Sequence, residues 1–85
     1  MSITWMKTIF EDGPMDPSAR FVLIALADYA NDHRECWPSV QGISAKTAMS
    51  HRGVQKILRR LEDQGWVEIE PGGGCKKANR YRLKI

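Results

Sequence analysis

The chain has 85 residues, 42% of them hydrophobic and 27% charged, with a formal net charge of +3. That suffices for one core and not for two, so 1–85 is read as a single domain. No apolar run approaches the ~20 residues that cross a bilayer, and Met1-Ser2-Ile3-Thr4-Trp5 lacks the basic segment and long apolar stretch of a secretory signal; a cytoplasmic protein is expected.

Two cysteines, Cys36 and Cys75, are too few for a disulfide-stapled scaffold and are read as thiols. His33 and Cys36 have a spacing a metal could use, with Cys75 or His51 to complete a site, but structural zinc sites carry two close ligand pairs and only one is present. No metal and no cofactor are expected. Charge divides unevenly: residues 1–35 hold three Lys and Arg against six Asp and Glu, whereas 36–85 hold ten against four. A basic half joined to an acidic half fits a phosphate-binding face on an otherwise neutralised domain, although ordinary surface solubility would produce the same split.

In chain order, Trp5, Met6, Ile9 and Phe10 fall on one face of a short helix that Gly13-Pro14 breaks. This apolar extension over 1–15 packs either internally or across a dimer axis. Asp16-Pro17 starts a second helix, since aspartate caps the free N–H groups and proline at the first helical position loses nothing. It runs to about Asn31, and Phe21-Val22-Leu23-Ile24-Ala25-Leu26-Ala27 is apolar on nearly every face, which places it at the centre of the core or between the core and a partner subunit.

Asn31 to Glu35 reads as a polar loop and Cys36-Trp37-Pro38 as a short extended stretch, because the residue before proline avoids the helical region. Ser39 caps a third helix with Val40, Ile43 and Thr47 on its inner side and Lys46 near its end, where a cation suits the helix dipole; Lys46 counts among the DNA-binding candidates. After a tight turn at Thr47-Ala48-Met49, Ser50 caps a helix running to Gln64, whose Val54, Ile57, Leu58 and Leu61 form one apolar stripe. Gly65 closes it in the left-handed conformation. Two helices joined by a short turn, over 39–65, outline a helix-turn-helix. The period then changes: Val67 and Ile69, and later Tyr81, Leu83 and Ile85, alternate with charged residues as two half-buried strands, and the segment 66–85 forms a glycine-rich, basic hairpin, or wing.

With the apolar stripe buried, the helix from Ser50 to Gln64 leaves His51, Arg52, Gln55, Lys56 and Arg59 outward. Arg or Lys can bond guanine O6 and N7 in the major groove and Gln can bond adenine N6 and N7, each pair discriminating by ~1–3 kcal/mol. The first turns of such a helix reach deepest, so Arg52 and Gln55 are the candidate base readers, while Lys56 and Arg59 suit phosphate. Ser50 can both cap the helix and donate to a phosphate. Taken alone, a cationic helix face is solvated surface; its place in a helix-turn-helix followed by a basic hairpin points to DNA.

In the wing, Glu68 and Glu70 can neutralise Arg80, Arg82 or Lys84, leaving Lys76, Lys77, Asn79 and Arg80 as candidates for phosphate or a minor groove. Gly72-Gly73-Gly74 does not match a phosphate-binding loop, because no Gly-Lys-Ser/Thr follows. Gly53 costs its helix ~1 kcal/mol, either as tolerated drift or to allow close approach to the duplex. Trp37 and Trp66 are expected in the core. No Ser-His-Asp, Cys-His or paired-carboxylate arrangement stands out, so no enzymatic activity is expected.

The segments Asp16-Pro17-Ser18-Ala19-Arg20-Phe21-Val22-Leu23-Ile24-Ala25-Leu26-Ala27-Asp28-Tyr29-Ala30-Asn31, Cys36-Trp37-Pro38-Ser39, Ser50-His51-Arg52-Gly53-Val54-Gln55 and Leu61-Glu62-Asp63-Gln64-Gly65-Trp66-Val67 together resemble the winged helix-turn-helix domains of bacteriophage and plasmid replication proteins and small phage or bacterial regulators. The likeness covers roughly 16–70. It implies a mainly helical α+β fold of three core helices plus a hairpin wing, DNA binding through the helix carrying Arg52 and Gln55, and a prokaryotic or phage origin. Gly53 stands where that pattern commonly has threonine, and Ala48 where the turn commonly has glycine.

Two functions compete. One is a sequence-specific double-stranded DNA-binding transcriptional regulator, paired as a homodimer on a two-fold site, with the DNA-binding domain of a replication initiator as its variant. The other is a protein-interaction module that docks a phage or host partner through the N-terminal apolar segment and its neighbours Glu11 and Asp12.

Overall fold

The computed structural model describes residues 3–72 and 79–84. The elements are α1 (Ile3–Asp12), α2 (Pro17–Tyr29), β1 (Glu35–Cys36), α3 (Val40–Thr47), α4 (His51–Asp63), β2 (Val67–Glu70) and β3 (Arg80–Leu83). The three capped helices begin where side-chain chemistry places them. Asp16 Oδ2 accepts from Ala19 N at 2.9 Å, Ser39 Oγ from Gly42 N at 2.9 Å and Ser50 Oγ from Gly53 N at 3.0 Å, each satisfying a donor the helix cannot.

α2 is the hub: it packs against α1, α3, α4, β1 and β3. Its Ala19, Val22, Leu23, Ala25, Leu26 and Ala27 are buried. The apolar surround is incomplete, however, since Phe21 is 47% exposed. The helix stops at Tyr29, short of the expected Asn31, because Ala30 is extended at φ −70 and ψ 144. α1 buries Ile9 and half-buries Trp5 and Met6, but Phe10, expected on the same face, is 61% exposed. The strip that α1 can press onto α2 is centred on Ile9 and is too narrow for a residue so far round the helix. Arg20 ties the end of α1 down, donating from Nη1 to Phe10 O at 3.1 Å, from Nη2 to Gly13 O at 3.3 Å and from Nε to Pro14 O at 3.0 Å. Arg34 lies over the Trp5 ring, 4.6 Å from its centroid.

The sheet is three-stranded and antiparallel in the order β1-β3-β2. Glu35, expected in a loop, belongs to β1 and pairs with Arg82, while Cys36 pairs with Tyr81. The turn before it is fixed locally: Asn31 Oδ1 accepts from His33 N at 2.8 Å and from Glu35 N at 3.1 Å, and Arg34 adopts φ 64. β2 pairs with β3 as Glu68↔Arg82, Ile69↔Tyr81 and Glu70↔Arg80, so the charged residues of both strands share one face. Cys36, Val67, Tyr81 and Leu83 turn the other way into the core.

Trp37 corrects an expectation. It is 53% exposed and not a core residue, because its neighbours Cys36 and Pro38 are buried and an extended chain turns alternate side chains to opposite sides. Trp66 is half-buried against the core. Among the described residues, no helix is long and apolar enough to cross a membrane.

Candidate nucleic-acid interface

The geometry of the α3–α4 turn rests on Ala48. It sits left-handed at φ 59 and caps α3, donating to Ser44 O, while Met49 N reaches the same carbonyl at 3.2 Å. The Ser44 hydroxyl donates to Met49 O, closing the turn from the side-chain side. A left-handed non-glycine residue costs ~1–2 kcal/mol, so the sharp turn is held by its surroundings and not by glycine. Thr47 Oγ1 donates to Ile43 O at 2.8 Å, which lets a hydroxyl sit buried on the inner side of α3.

α4 divides as its spacing dictates. Val54, Ile57, Leu58 and Leu61 are buried; His51, Arg52, Gln55, Lys56 and Arg59 are all exposed. Its far end is fixed by Gly65 at φ 82, with Trp66 N returning to Leu61 O at 2.9 Å. Gly53 has a local role: a methyl there would come within 3.1 Å of Ser50 Oγ, the atom that accepts the Gly53 N–H. Its absent side chain leaves room for the cap hydroxyl.

Two shallow concavities flank the outward side of α4. One is lined by Arg52, Gln55, Lys56, Arg59, Arg60 and Asp63. Arg60 was not among the sequence candidates, although its position four residues after Lys56 and eight after Arg52 is the signal that places it on their side. Its guanidinium lies 3.7 Å from Asp16 Oδ2, which neutralises part of its charge. The other concavity runs between α4 and the sheet, where Gln55 and Arg59 meet Asn79, with Leu58 and Tyr81 as its floor. Thus Gln55 and Arg59 border both, and Asn79 is brought to them from the base of the wing.

Other candidates are drawn into internal contacts. The Lys46 ammonium pairs with Asp28 and lies 4.8 Å from the centroid of the Tyr29 ring, and the hydrogen bond to Asp28 holds its pKa above the usual lysine range. Arg80 is bracketed by Glu70 at 2.9 Å and Glu35 at 3.4 Å. Lys84 and Glu68 are 3.7 Å apart. Asn79 Oδ1 accepts from Gly72 N at 3.3 Å, and its side chain also bonds Tyr81. Burial pushes the Tyr81 phenol up, an effect the Asn79 bond partly offsets. Lys76 and Lys77, with Cys75, lie outside the described residues. No cluster of His, Cys, Asp and Glu suited to a metal occurs among the described residues.

A two-helix unit with a tight turn, a preceding helical hub and a small sheet whose hairpin follows the second helix define a winged helix-turn-helix protein. The comparison with protein families agrees: the profile described as "Helix-turn-helix domain" matches residues 15–67, and the chain belongs to that family. Protein YmfN of Escherichia coli (strain K12) is 34% identical over 53 residues, which are 62% of this chain and 12% of that protein. The chain therefore spans a small fraction of that relative's length. No solved structure gives a significant match.

Proposed function

We propose that the chain is a sequence-specific double-stranded DNA-binding regulator of phage or bacterial origin, acting in the cytoplasm without catalysis or cofactor, with α4 in the major groove. The observation that carries this is the exposed set His51, Arg52, Gln55, Lys56 and Arg59 on the second helix of a helix-turn-helix, opposite a fully buried stripe. Arg52 and Gln55, on the first two turns, read base edges. Lys56 and Arg59 contact phosphate, and the wing contributes through Asn79, Lys76 and Lys77. Lys46 and Arg80 are weaker contributors, because each already faces a carboxylate.

One module covers only ~600–1,000 Å² of DNA-facing surface, so a homodimer on a two-fold site completes the reading. Its interface is the side of α1 and α2, where Phe10, Phe21 and Met15 are 61%, 47% and 91% exposed. The same exposure supports the alternative of a protein-docking module. The small share of Protein YmfN that is matched leaves room for a DNA-binding part of a larger protein such as a replication initiator.

Selection of bound duplex from a random library tests the proposal. Enrichment of a palindromic site, with Arg52→Ala losing preference at one base position by ~5–150-fold, is expected from ~1–3 kcal/mol per bidentate pair. Recovery of duplexes without any shared sequence would overturn sequence-specific recognition.

A further inference from the structure

We propose that Asn79 is a positioning residue: its side-chain amide clamps the two limbs of the hairpin at the base of the wing, and through that clamp sets how Lys76 and Lys77 meet DNA. This rests on the DNA-binding reading above and gives Asn79, counted there with the wing, a role other than touching DNA. The strand register places the clamp. β2 and β3 pair from Val67↔Leu83 to Glu70↔Arg80. Pro71 follows, and a proline has no N–H with which to extend the ladder. Gly72 N is the first donor beyond it, and it is taken by a side chain, Asn79 Oδ1, at 3.3 Å. One hydrogen bond therefore joins the outgoing and returning limbs just past their last paired residues.

The same amide is tied to the core. Asn79 is half-buried beside Tyr81, and its side chain bonds the Tyr81 phenol. An amide side chain has one acceptor end and one donor end; with the carbonyl on Gly72, the NH2 end serves the phenol oxygen. Tyr81 is 1% exposed and pairs with Cys36 of β1 on one side and Ile69 of β2 on the other, so it is a fixed point for Asn79 to hold. Asn79 also borders the concavity where Gln55 and Arg59 stand, which puts the clamp directly beside the outward side of α4. With both ends of its amide engaged inside the protein, Asn79 acts on DNA through the limbs it joins. Released from the clamp, the wing loses the phosphate contacts of its two lysines, while the base-reading turns of α4 stay as they are.

The test is fluorescence anisotropy of a labelled duplex titrated with wild type, Asn79→Ala, Tyr81→Phe and the double variant over a series of salt concentrations. Tyr81 is buried and does not itself reach DNA, so its hydroxyl reports on the clamp alone. Expected are binding about tenfold weaker in each single variant, a slope of log affinity against log salt shallower by about 0.9–1.8 for the one or two phosphates lost, and no further loss in the double variant. Wild-type affinity in Tyr81→Phe, additive losses in the double variant, or weaker binding at an unchanged slope overturns the clamp and leaves DNA binding standing. Absence of salt-dependent duplex binding by wild type overturns the DNA reading and with it the task assigned to the lysines. The clamp is also read without DNA, by trypsin under native conditions. Cleavage after Lys76 and Lys77 is expected to be faster in Asn79→Ala and Tyr81→Phe than in wild type, with cleavage after Arg59 and Arg60 unchanged; equal rates in all three proteins, or rates raised equally at all four sites, overturn it.

Discussion

At the scale of single residues, Cys36 is set by its surroundings more than by its type. Buried between α2 and β3, its thiol is pushed up to about 12 from an ordinary 9.0 by loss of hydration of the thiolate. In the unfolded chain it ionises above pH 9, while in the folded protein it stays neutral to about 12. Its contribution to stability is therefore complete below pH 9 and is lost as pH rises from 9 to 12, at about 1.4 kcal/mol per pH unit. Tyr81, also raised by burial, acts in the same direction at higher pH. Urea unfolding at pH 8.5 and 10.5 checks this: wild type loses more stability over the interval than Cys36→Ala, and equal losses would contradict the assignment. That Cys36 is a thiol was legible from the cysteine count, whereas its burial was not, since β1 and its pairing with β3 left no periodic signal. The outward turn of Trp37 was not, because its size argues for burial and only the partners found by Cys36 and Pro38 settle which way the strand alternates. Gly53 was legible as an anomaly, and its cause, room for the Ser50 hydroxyl, needs coordinates.

Among the elements, α4 follows its sequence most closely. A stripe at three- and four-residue spacing has only one way to be buried, and the caps at Ser50 and Gly65 bound it. The stripe also fixes which side of α4 is exposed, so under the proposed DNA binding, damage to the core acts on binding through folding. Leu61, fully buried, is expected to cost about 2–5 kcal/mol when replaced by alanine. Thermal or urea unfolding measures the loss, and a change below about 1 kcal/mol would mean that α4 is not packed on α2 as described. β1 shows the opposite case. Two residues carry no periodic signal, and Glu35 becomes a strand only because β3, some 45 positions later, offers it Arg82 as a partner. Likewise the pairings of Lys46 with Asp28 and of Arg80 with Glu35 join separate elements. Spacing within an element revealed the cations, but not which of them would be neutralised from elsewhere.

For the molecule as a whole, the uneven charge of the sequence is partly neutralised across element boundaries and partly left exposed on α4. Acidic residues of the first third include Asp16, Asp28 and Glu35, which meet Arg60, Lys46 and Arg80 across element boundaries, while Arg52, Lys56 and Arg59 on α4 have no carboxylate within ion-pair distance among the described residues. Cations left unpaired beside Gln55 are what a polyanion would select. The most direct measurement is titration of a labelled duplex with the protein from low to high salt. Expected is tight association at low salt, with log affinity falling linearly against log salt at a slope of about −3.6 per chain from Lys56, Arg59, Lys76 and Lys77, at about −0.9 for each phosphate neutralised. No association with duplex at low salt, or an affinity independent of salt, would contradict it.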